Sequence, residues 1–203
     1  ARTWPGVPNP LGKPFDLVIV RENTEGFYAD RNMEEGNAEI RVTKDVVVSM
    51  RRITWDCCER IARTAFRLAA RRRRKVTAVH KANVLRKGDG MFLDACRKVA
   101  EEFPDVALDT VIVDAMAALL IRDPGRFDVV VTTNMFGDIL SDQAAELSGS
   151  LGLGGSINAG DAHCMAQAAH GSAPDIAGQD KANPSSLVLS AAMLLAWQAE
   201  RTG

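Results

Sequence analysis

Short β-branched runs alternate with helix-patterned stretches along this chain, and that alternation limits the fold more than any other feature. Asp16-Leu-Val-Ile-Val20 has the compactness of a buried strand. Across residues 54–70, Cys57, Ile61, Ala65 and Leu68 recur every three or four positions. With Ile53 ahead of a Thr54 cap, they predict a helix opened by a hydrophobic staple. Arg71-Arg-Arg-Arg-Lys75 ends it and reads as cations at a helix C-terminus in water rather than an anion-binding patch. A strand (76–80), a helix (89–102, stopped before Pro104) and a strand (108–113) follow. Next come a short helix (115–122), a strand (128–132) and a helix (136–147). This order predicts an α/β sandwich with strands that are at least partly parallel. The glycine-rich residues 149–160 read as a boundary or hinge. Beyond a loop at 170–183, Pro184 at a first helical position after an Asn183 cap opens a last helix. That helix is apolar almost all round, which predicts burial.

Composition removes several classes of function. The 203 residues suit one or two domains, and 46% are hydrophobic and spread along the chain, which excludes global disorder. Lys and Arg number 25 against 26 Asp and Glu, so no basic excess points to nucleic acid. The longest apolar run, 187–197, is broken by Ser190 and is about half the ~20 residues of a membrane span. No basic-then-apolar leader opens the chain, so a cytoplasmic location is expected. Ala1 stands in a proline-rich stretch (Pro5, Pro8, Pro10, Pro14) that reads as a connector inside something longer. Cys57, Cys58, Cys96 and Cys164 lack zinc-type spacing and read as reduced thiols with packing roles rather than a redox device.

Ligands of open α/β sheets gather beyond the carboxyl ends of the strands. Here the first strand runs into Arg21-Glu-Asn-Thr-Glu25, and the next delivers Lys81 and Asn83. The others deliver Asp114 and Asn134, the latter ahead of Asp138 and Asp142. Each instance alone reads as a satisfied turn residue; the four together point to a shared polar cleft. Asp138 and Asp142, four apart on a helix, share a face. They read equally as dipole-complementing acids or as ligands. Asp114 as a third oxygen donor admits Mg²⁺ or Mn²⁺. Neither a G-x-G-x-x-G turn nor a P-loop is present; the Gly-Leu-Gly-Gly run at 152–155 is a weak match to either.

Four longer motifs occur in order: Arg21-Glu-Asn-Thr-Glu-Gly-Phe-Tyr28, Val79-His-Lys-Ala-Asn-Val84, Asn134-Met-Phe-Gly-Asp-Ile-Leu-Ser-Asp142 and His170-Gly-Ser-Ala-Pro-Asp-Ile-Ala-Gly178. Together they resemble the isocitrate/isopropylmalate dehydrogenase family of metal-dependent, β-decarboxylating hydroxyacid dehydrogenases, which also holds homoisocitrate and tartrate dehydrogenases. The resemblance covers practically the whole chain. It implies that Arg21 grips substrate carboxylates, that Tyr28, the one tyrosine of the chain, protonates the enolate, and that Lys81 with Asp114 takes the hydroxyl proton. It places Asn83 against substrate and nicotinamide, and Asp114, Asp138 and Asp142 on the metal. In this family the Lys and the first Asp reach into the partner's site, so a homodimer with composite active sites is implied. The loop at 170–183 resembles the family's adenosine-binding loop, with His170, Gly171, Ser172, Ala173, Pro174, Asp175, Ile176 and Asn183 as cofactor contacts. Asp175-Ile176 favours NAD, because a carboxylate accepts from a ribose 2′-hydroxyl and repels a 2′-phosphate; NADP-dependent members tend to carry Lys-Tyr there.

The chain departs from the family at Met165-Ala-Gln-Ala-Ala169, where many members have Phe-Glu-Pro-Val before the His-Gly pair; Gln167 thus replaces a Glu. On the family plan, residues 1–148 form a second domain for substrate binding and dimerisation, and 149–203 are part of a cofactor-binding first domain. The segment that recognises the substrate's variable group lies outside the sequence, so isocitrate, homoisocitrate and 3-isopropylmalate types all stay open. The expected function is NAD-dependent oxidative decarboxylation of a 2-hydroxy di- or tricarboxylic acid, with this chain inactive alone. The rivals are a non-catalytic subunit of the same fold and an inactive truncated fragment. Every matched catalytic position nevertheless holds the active residue type.

Overall fold

The structure, a computed structural model, describes residues 1–202. Packing divides the chain into two units, one of Asp16–Ser141 and one of Ala1–Phe15 with Asp142–Gly203.

The first unit is built on four parallel strands in the order β1-β6-β4-β5. These are β1 (Val18–Arg21), β4 (Lys75–His80), β5 (Ala107–Ile112) and β6 (Val129–Thr132). The two central strands, β4 and β6, are the most deeply buried, as expected of a parallel sheet covered on both faces. Val76, Ala78, Val129 and Val131 pack against helices α1 (Trp55–Ala70) and α2 (Gly88–Ala100) through Cys58, Ala62, Phe66, Phe92 and Val99. The alternate residues Thr77, Val79, Val130 and Thr132 are just as buried, and α3 (Val113–Arg122) packs on β4 and β5. The strand register pairs Arg21 and Val79 with Thr132, and His80 with Ile112. All four carboxyl ends therefore reach the same edge of the sheet.

The elements named from the sequence are present to within a residue or two, the usual uncertainty of helix and strand ends. Several details differ. In α1 the buried stripe is Cys58, Ala62, Ala65, Phe66 and Ala69, one position on from the Cys57–Ile61 series. Thr54 precedes α1 without capping it by its side chain. The arginine run is not simply solvated: buried Asp128 accepts from Arg72 Nε at 2.8 Å and from the Arg73 amide at 2.8 Å. Arg73 also donates to the carbonyls of Asp16 and Gly125. These arginines clamp the amino ends of β1 and β6. A hairpin absent from the sequence reading, β2 (Glu39–Thr43) with β3 (Val46–Ser49), exposes both faces.

The second unit begins at Asp142, within α4 (Asn134–Leu147). The glycine-rich stretch forms a 3₁₀ turn (Leu151–Leu153) and strand β7 (Gly155–Ala159), which pairs antiparallel with β8 (Cys164–Ala168). Helix α5 (Ser185–Thr202) lies on this hairpin. Asn183 Oδ1 accepts from the Ser185 amide at 3.0 Å, as a cap should. In this chain α5 buries Ser186 and Ser190 against the hairpin, while Leu187, Val188 and Leu195 are more than half exposed. Hydrogen bonding places the two serines on that face. Ser186 Oγ accepts from the Ala169 amide and donates to Gly154 O, and Ser190 Oγ accepts from the Ser156 amide and donates to Gln167 O. Small polar side chains satisfy the hairpin backbone where a leucine would orphan it.

Candidate active site

β1 ends at Arg21, whose guanidinium is held from two sides. Its Nε donates to Asn134 Oδ1 at 2.9 Å, and Nη1 pairs with Asp138 on the first turns of α4. The guanidinium carbon lies 5.7 Å from the ring centroid of Tyr28, and the Tyr28 hydroxyl donates to Asp138 Oδ2 at 3.3 Å. Arg21, Tyr28 and Asp138 therefore meet in one half-open cluster, each with part of its side chain reachable from solvent.

The chain between Arg21 and Tyr28 is shaped by two buried carboxylates. Glu22 accepts from the Thr24 amide at 3.0 Å and the Glu25 amide at 3.0 Å, which folds the loop back on itself. Glu25 accepts from the Thr54 amide at 2.8 Å and its hydroxyl at 2.9 Å, with Arg52 3.6 Å away. That draws the Thr54 hydroxyl away from its capping role. Gly26 (φ +88°) lies against Asn134, and a Cβ there would sit 3.2 Å from Asn134 Cβ.

β4 delivers a second polar group. Lys81 Nζ pairs with Asp114 at the start of α3, and this bond, with Asp114's own amide, holds the Asp114 carboxyl below the usual range. Buried Asp89 accepts from the Lys81 amide at 2.5 Å, and its other oxygen lies 2.6 Å from Arg51 Nη2. Arg51 in turn donates to Thr133 Oγ1 at 3.2 Å, so one arginine ties the end of β4 to the end of β6. His80, just before Lys81, accepts from the Ala82 amide at 3.0 Å through Nδ1, and burial pushes its pKa down. Asn83 is exposed beyond it. Burial likewise pushes the Cys58 thiol up to about 12, and all four cysteines are unbridged.

Among the residues named from sequence, the structure brings Arg21, Tyr28 and Asp138 together, and Lys81 with Asp114. Asp142 follows Asp138 by one turn on α4 and is exposed. Lys81 and Asp114 bond to each other and not to Arg21, Tyr28 or Asp138. Among the described residues no three His, Cys, Asp or Glu side chains of one chain converge as a metal would need. His170, Gly171, Ser172, Ala173, Pro174, Asp175 and Asn183 are exposed in the second unit, with Ile176 half-buried. Ala173 is held in the left-handed region (φ +43°) and starts the 3₁₀ turn Pro174–Ile176. Glu25, Asp89, Arg51 and Asn134 had no role assigned from sequence. Glu25 and Asn134 stand inside the motifs and Arg51 and Asp89 outside them; the partners of all four are set by the fold.

A parallel sheet with an arginine, a phenol and a helix-borne carboxylate at its carboxyl edge defines an open α/β protein, a class in which ligands bind beyond the strand ends. The comparisons make this specific. The sequence profile of the isocitrate/isopropylmalate dehydrogenase family matches residues 6–202, and the chain belongs to that family. It is 49% identical to a 3-isopropylmalate dehydrogenase of Archaeoglobus fulgidus, over 89% of this chain and 53% of the relative. It is 48% identical to an isocitrate/homoisocitrate dehydrogenase of Thermus thermophilus, over 96% of this chain and 56% of the relative. The solved isocitrate dehydrogenase of Methylococcus capsulatus superposes with a TM-score of 0.89 at 45% identity, covering 98% of this chain and 58% of that one. The chain thus spans about half the length of the curated relatives it matches.

Proposed function

We propose that this chain forms part of an NAD-dependent enzyme that oxidatively decarboxylates a 2-hydroxy di- or tricarboxylic acid of the isocitrate, homoisocitrate or 3-isopropylmalate type, with help from Mg²⁺ or Mn²⁺. The observation that carries the reading is the meeting of Arg21, Tyr28 and Asp138: an anion grip, a proton donor and a hard oxygen ligand in mutual contact. Arg21 holds a substrate carboxylate through its planar donors, a task for which a lysine is a poor substitute. Asp138 and Asp142, two hard donors one turn apart, would hold the cation. A bound cation would supply Lewis acidity toward the substrate's C2 oxygen, and bound NAD would supply the hydride acceptor. Lys81, oriented by Asp114, takes the C2 hydroxyl proton at Nζ. After CO₂ leaves, the Tyr28 hydroxyl donates its proton to the carbon that bore it. Asp175 accepts from the ribose hydroxyls of the cofactor, which favours NAD over its 2′-phosphorylated form. Residues 1–148 serve as the substrate and dimerisation domain in this reading, and 149–203 as part of the cofactor domain.

Two copies are needed. Asp114 and Lys81 are assigned to a neighbour's site, because their side chains pair with each other and the metal set stays incomplete among the described residues. The β2–β3 hairpin supports this, since it leaves Ile40, Val42, Val46, Val47 and Val48 exposed and a lone two-stranded hairpin is marginal in water.

The test is made in the full-length protein that holds this chain. Asp138→Asn should weaken Mn²⁺ binding by titration calorimetry and lower turnover together. Tyr28→Phe should leave NADH formation in a stopped-flow burst largely intact while slowing enol protonation, and Lys81→Met should suppress the burst itself. The reverse pattern, or unchanged metal affinity, would refute the assignment.

A further inference from the structure

We infer that Asn134 is a positioning residue that sets the plane of the Arg21 guanidinium, a role that rests on Arg21 being the substrate grip proposed above. Asn134 is 1% exposed and makes two bonds of opposite sense. Its Nδ2 donates to Glu25 O at 2.8 Å, and its Oδ1 accepts from Arg21 Nε at 2.9 Å. A carbonyl can only accept and an arginine Nε–H can only donate, so the amide has one allowed orientation; turning it over would face acceptor to acceptor and donor to donor. The buried amide therefore works as a fixed acceptor. Because Nε lies in the guanidinium plane, fixing its hydrogen bond fixes the direction of the Nη fork, and the pairing of Nη1 with Asp138 sets the remaining freedom.

The seat around this bond is built for it. A Cβ on Gly137, one turn along α4, would fall 2.6 Å from Arg21 Cγ, so only glycine lets the arginine stem lie across the helix start. Gly26, at φ +88°, brings the Glu25 carbonyl within reach of Asn134 Nδ2. Glu25 is held in turn by Thr54, so the aim of Arg21 is anchored through Asn134 and Glu25 to the start of α1. Nη2 makes no bond within the described residues, which leaves a donor for an incoming carboxylate.

The test compares Asn134→Ala and Asn134→Asp in the full-length protein. Aspartate keeps an acceptor for Arg21 Nε but opposes the Glu25 carbonyl; alanine removes both bonds. The Arg21 Nε–Hε resonance in ¹⁵N NMR should exchange slowly with water in the unaltered protein, remain protected in Asn134→Asp and lose protection in Asn134→Ala. KM for the hydroxyacid should rise about tenfold in Asn134→Ala, as loss of one bond to a charged group implies, with kcat changed by less than about threefold. A merely structural Asn134 predicts instead that both variants raise KM in step with their loss of stability. An Arg21 signal that stays protected in Asn134→Ala, or is lost in Asn134→Asp, overturns the inference. If the unaltered protein oxidises none of the three hydroxyacids, the proposed function fails while the NMR comparison still decides the role of Asn134.

Discussion

Gly137→Ala isolates the steric demand at the Arg21 seat. By propensity alone, alanine in a helix should gain about 0.5–1 kcal/mol over glycine. The added Cβ, however, would lie 2.6 Å from Arg21 Cγ and 2.7 Å from Arg21 Cβ. Carbon contacts are optimal near 3.5–4.0 Å, so the overlap is about 1 Å. It falls at the root of the side chain, which cannot swing aside, because Arg21 is paired with Thr132 in the sheet. Overpacking of this kind costs roughly 1–3 kcal/mol. The net expectation is a loss of about 1–2 kcal/mol. Gly90→Ala in α2 is the matched control, since a Cβ there meets nothing within 4 Å, and it should be neutral or stabilising by up to about 1 kcal/mol. Urea unfolding followed by far-UV circular dichroism measures both, with unchanged m-values showing that the comparison is one of stability. If Gly137→Ala is as stable as Gly90→Ala, Arg21 does not lie across α4 as described.

His80 should make stability fall as pH drops. Burial holds its folded pKa below the unfolded value of 6.5, outweighing the opposing pull of Asp89 and assisted by Arg97. The unfolded chain therefore binds the proton first, and stability present above pH 6.5 is lost progressively below it. Protonation also removes the acceptor for the Ala82 amide. Unfolding midpoints from pH 7.5 to 5.5 should show the slope, and His80→Asn should flatten it; an unaltered slope in that variant would place the titration elsewhere. Ser190→Ala should leave the Ser156 amide without its side-chain partner, an expected loss of about 1–3 kcal/mol felt mainly in the β7–β8 hairpin. Amide exchange at Ser156 should speed up while Val130 in β6 stays protected. Equal change at both would refute a local role for the serine.

Much of the first unit could be read in the chain because its information is local. Val129-Val-Val131 and the run 76–80 are apolar enough for strands covered on both faces, and the helix stripes differ from the expected ones by a single position. The four motifs likewise carried the family. The β2–β3 hairpin had a local signal in the alternation of Ile40 and Val42, but both faces are exposed, so hydrophobic burial did not mark it. What tertiary structure decided is where polar groups find partners. Thr54 turns from capping to Glu25, the arginines after α1 turn from water to Asp128, and α5 buries two serines rather than its leucines. Each choice depends on a backbone or carboxylate many residues away whose hydrogen-bonding need must be met once it is buried. Periodicity reports only apolar faces. Asn134 shows the difference most clearly: its type and place were visible in the motif, but the carbonyl that fixes its amide and the arginine it aims came together only in the fold.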